Sequence, residues 1–171
     1  MKDVNALTNE CINELESIGL KDELETITSV TVNSRAKGRF GRVLTRRNRS
    51  TGKATHSMTI SSEILQDCVD DKAVKNTIMH ELLHCTRDGN NHTGGWKRLA
   101  NIVNRKLGYN ITRANKYSDF GLQAPAPREN YKYEIVCSNC GEVIGKRKRM
   151  SNVTSKYVCG KCKGKLIMRK I

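Results

Sequence analysis

Acidic residues are missing from two long stretches of this chain. Between Thr26 and Ser62 there are eight Lys or Arg and no Asp or Glu, and beyond Glu142 there are ten more with none. The acids gather at the start, where residues 1–25 carry seven against two bases, so a net +14 overall becomes +19 past that point. Acid-free basic blocks argue for an anionic partner, by non-specific attraction rather than by readout of a base sequence. Apolar runs are also short: none approaches a membrane span, and the N-terminus lacks the basic-then-apolar order of a secretory signal. The expectation is a chain of the cytoplasm, or associated with nucleoid or nucleus, without membrane contact and not secreted. Seven cysteines form an odd total, and four of them have metal spacing, which excludes a complete disulfide framework. Cys11, Cys68 and Cys85 then read as reduced, partly buried thiols.

What is present is most telling at His80-Glu81-Leu82-Leu83-His84. On a helix, four residues span about 400° of rotation and about 6 Å of rise, so His80 and His84 leave one face a turn apart and can grip one ion. Glu81 lies about 100° from His80, poorly set for ligation but near enough to act as general base on a water at the metal. Chance would place this pattern in roughly one such chain in a hundred, so its surroundings matter. Val74, Ile78, Met79, Leu82 and Leu83 give it an apolar setting, Asp70 and Asp71 suit a helix N-terminus, and Gly89 marks the expected stop.

Hydrolytic zinc usually takes three protein ligands. No Asp or Glu occurs between Asp88 and Asp119, which leaves a downstream carboxylate without a candidate. His92 is the next histidine, with seven residues between it and His84 where the metzincin pattern has five, so a different loop geometry is expected. His56 falls in a probable strand and stays outside the site. After His92, Trp96, Leu99, Ala100, Val103 and Leu107 recur at helical spacing and Gly108 closes the pattern. Trp96 reads as a core anchor that also fixes the loop carrying His92.

At 171 residues the chain has room for one ordinary domain and a small appendage. Residues 3–26 carry helix formers, with Ile12, Leu15, Ile18 and Leu24 as buried positions. Val30–Val32, Phe40–Thr45 and Thr55–Ile60 read as strands of a small antiparallel sheet. Both prolines, Pro125 and Pro127, fall in a linker placed at 119–130, between a first domain at 1–118 and a second at 131–171.

In that second domain, Cys137-Ser-Asn-Cys140 and Cys159-Gly-Lys-Cys162 are two knuckles eighteen residues apart, a strong zinc signal. Gly141 and Gly160 are expected to make the tight turns. Tyr133–Val136, Val143–Lys148, Thr154–Val158 and Lys165–Met168 read as strands of a zinc ribbon. About forty residues build little core unaided, so a structural zinc on four thiolates, worth roughly 10–16 kcal/mol, would supply much of the folding energy. A redox role for the pairs is the lesser alternative.

The order of Arg/Gly-rich strands, His80-Glu81-x-x-His84, His92 with Trp96 beyond it, Leu107-Gly108-Tyr109 and a four-cysteine ribbon resembles the SprT-like zinc metalloproteases, to which animal Spartan proteins belong. The resemblance covers nearly all of the chain after residue 28. It implies an α+β, zincin-like metalloprotease domain followed by a small β zinc ribbon, with one catalytic and one structural Zn2+. It also implies His80, His84 and His92 as ligands, Glu81 as catalytic base, and proteolysis, which Spartan directs at proteins bound or crosslinked to DNA. Thr93 departs from the family's usual Gly after the third ligand. On the charge argument, Arg39, Arg42, Arg46, Arg47, Arg49, Lys146, Arg147, Lys148 and Arg149 are candidate nucleic-acid contacts, with Tyr131, Tyr133 and Tyr157 able to stack bases. A protein that keeps the zinc-stabilised fold for nucleic-acid binding or regulation, without cleaving peptides, is the reading from another class.

Overall fold

A computed structural model, describing residues 1–126 and 130–171, resolves the chain into two units, Met1–Ala124 and Pro125–Ile171. In the first, Asp3 caps helix α1 (Val4–Ser17) by accepting from the backbone N–H groups of Asn5 and Ala6 at 2.8 and 3.2 Å. Such caps satisfy donors that the first helical turn leaves open. The buried stripe of α1 is Val4, Leu7, Thr8, Cys11 and Leu15. Ile12, Ile18 and Leu24, expected inside along with Leu15, are only half-buried against that core, because Leu7 and Cys11 set the inward axis one step away. Cys11 and Cys85 are buried, whereas Cys68 is exposed, contrary to its expected partial burial.

Three strands follow: β1 (Thr26–Asn33), β2 (Gly41–Arg47) and β3 (Ala54–Ser61), in spatial order β1-β3-β2. The sheet is mixed rather than antiparallel: β2 pairs β3 antiparallel, but β1 runs parallel to β3. The reason lies in burial. Ala54, His56, Met58 and Ile60 are buried at alternate positions, so β3 takes the centre and the more polar β1 and β2 become edges. Residues 34–40 are long enough to carry the chain across the end of β3. A hairpin turn after β2 is held by the Asn48 side chain, which accepts from the N–H groups of Ser50 and Thr51.

Helix α2 (Asp71–His84) starts on Asp70, whose carboxylate accepts from Lys72 and Ala73. Val74, Ile78, Met79, Leu82 and Leu83 are buried, since α2 packs against α1, β2 and the next helix. It ends at His84, not at Gly89. Helix α3 (Gly94–Leu107) buries Trp96, Leu99, Ala100 and Val103 and stops at Gly108, whose φ of +67° is a left-handed cap that favours glycine. The first unit does not end at residue 118. Phe120, in a short 3-10 turn at Tyr117–Phe120, is buried against Phe40 with ring centroids 4.6 Å apart, so the early part of the expected linker is core. Residues 127–129 of that linker lie outside the described residues.

In the second unit, β4 (Tyr133–Cys137), β5 (Val143–Arg147) and β6 (Leu166–Lys170) form an antiparallel sheet in the order β5-β4-β6. Its core is small: Ile135, Cys137, Cys159 and Leu166. A short helix, α4 (Val153–Lys156), replaces the strand expected at Thr154–Val158, of which only Val158 makes a bridge, to Lys165. The Ser155 N–H and hydroxyl both donate to the Asn152 carbonyl, a local alternative to sheet pairing. The whole is α+β with two small sheets and four clustered cysteines near the C-terminus. Among the described residues no helix is long and apolar enough to cross a membrane.

Candidate metal centres

His80 and His84 leave the same face of α2, as their spacing requires, and His92 reaches them from the loop before α3. The three Nε2 atoms converge, with His92 at 2.9 Å from His80 and 3.1 Å from His84. Tetrahedral zinc with Zn–N bonds of about 2.0–2.1 Å sets its nitrogens about 3.3 Å apart, so the cluster is within a few tenths of an ångström of a zinc site. The far side of two rings is fixed as well. His80 Nδ1 donates to the Thr112 carbonyl at 2.9 Å and His84 Nδ1 to the Gly89 carbonyl at 2.5 Å. A proton held on Nδ1 leaves the Nε2 lone pair free, the tautomer a metal needs. Burial lowers all three imidazole pKa values, that of His80 to about 4, so at neutral pH the cluster presents lone pairs rather than charges. This donor set fits zinc.

Several groups that sequence reasoning missed hold the cluster. Gly89 has a negative φ and is required for space: a Cβ there would fall on the Leu83 carbonyl, and without one its own carbonyl reaches His84. Thr112 is positioned by two asparagines. Asn104 accepts from the Ile111 N–H at 2.7 Å and donates to its carbonyl at 3.1 Å, and Asn76 makes the same pair with Asn110 at 3.0 and 3.2 Å. Trp96 packs against all three imidazoles, with centroids 4.9 Å from His80, 5.6 Å from His84 and 4.7 Å from His92, and its Nε1 donates to the His80 carbonyl. Its expected anchoring role is what the structure shows. His56 lies apart, between Thr45 at 3.0 Å and Glu25 at 3.2 Å.

Glu81 is buried under the start of β2, where a Cβ on Gly41 would come within 2.6 Å of Glu81 Cγ. Burial raises its carboxyl to about 7, and the Arg39 guanidinium pulls the other way. A carboxyl poised there can accept and return a proton near neutral pH. Glu81 and the three histidines line one cleft of about 430 Å3, bordered by β2 and by residues 113–115. Cys85, beside His84, turns away to donate to the Glu81 carbonyl.

In the second unit the four thiols form another cluster. Cys137 and Cys162 Sγ are 3.4 Å apart, and Cys140 and Cys159 Sγ 3.7 Å. Those distances exceed a disulfide bond and approach the spacing of about 3.8 Å that Zn–S bonds of about 2.3 Å impose. Both knuckles use one scheme. The Gly141 N–H donates to the Cys137 carbonyl and the Cys137 N–H to that of Glu142; Lys163, Cys159 and Gly164 repeat it. The left-handed residues are therefore Gly141 (φ +71°) and Lys163 (φ +59°), and not Gly160. The Gly164 backbone N–H first, and then hydrogen bonds with the Cys137 and Cys140 side chains, lower the Cys162 thiol to about 6, as suits a thiolate ligand.

The nine basic candidates separate. Arg39 and Arg42 line the cleft, Arg46, Arg47 and Arg49 lie at the far end of β2 and its turn, and Lys146, Arg147, Lys148 and Arg149 lie on and just after β5. Arg47 is partly engaged, donating to the Gly52 carbonyl.

A model of the SprT-like family matches residues 8–115, which include both histidine-bearing elements and Glu81. The chain belongs to the SprT-like family. The match stops before the four-cysteine unit. Among curated relatives, human germ cell nuclear acidic protein is 30% identical over 112 residues, covering 61% of this chain and 14% of that protein. The SprT-like protein of Lactococcus lactis is 28% identical over 129 residues, 72% of this chain and 76% of the relative. That of Staphylococcus carnosus is 37% identical over 98 residues, 57% and 56% respectively. The chain thus spans a small part of the human relative and just over half of the staphylococcal one. No solved structure matches.

Proposed function

We propose that this chain is a zinc-dependent endopeptidase of zincin-like architecture that acts on proteins associated with or crosslinked to DNA. The observation that carries the reading is the convergence of His80, His84 and His92 Nε2 atoms in one cleft with the buried carboxyl of Glu81. The three histidines would hold the catalytic zinc, and Cys137, Cys140, Cys159 and Cys162 a structural one. Bound by three imidazoles, zinc supplies Lewis acidity that polarises a carbonyl and brings the pKa of water to about 7. Glu81 holds the attacking water, takes its proton and returns it to the leaving amine nitrogen. Thr112 and Gly89 keep the imidazoles in register through their Nδ1 protons, while Trp96 supports the rings from beneath. The outer edge of β2 has no strand partner among the described residues, so an extended peptide can pair with it beside Glu81.

DNA association rests on charge. The hairpin after β2 and the stretch after β5 are acid-free and basic, which suits a phosphate backbone without base readout. The human relative's name places that protein in germ cell nuclei, consistent with a nuclear or nucleoid setting here. The same charge favours a second reading, a non-catalytic nucleic-acid-binding protein with its fold fixed by zinc. Metal analysis and a cleavage assay on DNA-binding proteins, with and without single- or double-stranded DNA, separate the two. The peptidase reading expects two zincs per chain, DNA-stimulated cleavage, and an inactive Glu81→Gln variant that keeps both zincs. Full proteolysis by that variant, or a single chelator-resistant zinc with no cleavage, refutes it.

A further inference from the structure

Three arginines stand in the lining of the cleft: Arg39 and Arg42 at β2, and Arg113 on the segment that returns over α2. None of them makes an ion pair among the described residues, although Lys2, Lys37, Lys75, Arg47 and Arg98 all do. Glu81 is the one acid in the lining. All three line the same cleft as Glu81 and the histidine cluster. Arg39 and Arg42 also border an adjoining cavity of about 370 Å3, with Asn33, Thr59 and Ser61, that has no carboxylate in its lining.

We propose that this cleft selects acidic peptide segments, its three arginines pairing with Asp or Glu side chains that flank the bond held at the histidine cluster. The inference rests on the peptidase reading and names its substrate class. A guanidinium presents a planar fork that matches a carboxylate, and three forks without an ion pair in one cleft make a field that attracts anionic side chains and repels Lys and Arg. Their position favours peptide over nucleic acid. A polynucleotide laid across Arg39, Arg42 and Arg113 would cover His80 and Glu81 and block the groups that react.

The test uses the full chain, zinc-loaded, in its Glu81→Gln form, with three labelled peptides identical except for Asp/Glu, Asn/Gln or Lys/Arg at the variable positions. By fluorescence anisotropy the acidic peptide should bind about tenfold more tightly than the basic one at low salt, with the gap closing near 0.5 M as charges are screened. Arg113→Glu, and separately Arg39→Glu with Arg42→Glu, should weaken acidic-peptide binding several-fold and strengthen that of the basic peptide. Equal binding of the three peptides overturns the proposal, as does a preference that survives both sets of substitutions. A short oligonucleotide that displaces the acidic peptide, and whose binding is what the arginine variants lose, also overturns it. Cleavage of the same peptides by the unsubstituted chain tells the two readings apart: ordered binding without cleavage removes the peptidase and keeps acidic selection, while cleavage without order does the reverse.

Discussion

Replacing Gly41 with alanine should disable the cleft while leaving its metal donors intact. Gly41 has no positive φ, so alanine fits the backbone, and its smaller unfolded-state entropy would by itself favour folding by about 0.4–1 kcal/mol. Space is the difficulty: the added Cβ would lie 2.6 Å from Glu81 Cγ and 2.7 Å from Cδ. Carbon atoms pack at about 3.5–4.0 Å, so the carboxylate must retreat by about 1 Å from β2. Misplacing a reacting group by that much costs about 100-fold in rate, or about 2.7 kcal/mol of barrier. Zinc content should not change, because the three heavy atoms nearest the new methyl all belong to Glu81 and none to a histidine. The assay is kcat/KM on a quenched-fluorescence peptide, with metal stoichiometry and thermal unfolding on the same preparation. Activity within twofold of the parent would refute the placement of Glu81 against β2, and loss of zinc in step with activity would show that the clash is relieved through the histidines instead.

Other outcomes follow from the same geometry. Asn104→Ala removes two hydrogen bonds that hold Ile111 and, through it, Thr112 against His80; zinc affinity at the histidine cluster should fall about 10- to 100-fold, measured by chelator competition. Zinc-free protein should lose stability as pH falls. His80 is neutral in the fold down to about 4 but protonates near 6.5 when unfolded, so its contribution is complete above 6.5 and lost on the way to 4; that loss is about 3 kcal/mol at most and is read by denaturant titration at several pH values. Lys163→Gly removes a left-handed non-glycine residue and should stabilise the four-cysteine unit by about 1 kcal/mol, seen as slower zinc release to a chelator.

The site was legible where a side chain carries the information and a helix fixes its direction. Spacing alone put His80 and His84 on one face, and the scarcity of acids after Asp88 pointed to His92. The groups that orient them were not legible, because Thr112 and Gly89 act through backbone carbonyls and any residue type offers one. Asn76 and Asn104 had no motif to mark them; their role exists only once α3 has turned at Gly108 and brought Asn110 and Ile111 alongside. The direction of β1 was hidden for a related reason: alternation reports which faces are buried, and a parallel edge strand alternates like an antiparallel one. In the four-cysteine unit glycine marked one turn, at Gly141, and misled at the other, since Lys163 takes the left-handed turn expected of Gly160.

The scarcity of aromatic residues has a practical outcome at the histidine cluster. Trp96 is the only tryptophan in the chain and it touches all three imidazoles. Protonated imidazole quenches indole emission, and a closed-shell ion that displaces those protons does not. The molecule therefore carries its own optical gauge: a single indole, excited selectively at wavelengths beyond tyrosine absorption, whose brightness should track proton and metal occupancy of the histidine cluster and ignore events at the four cysteines.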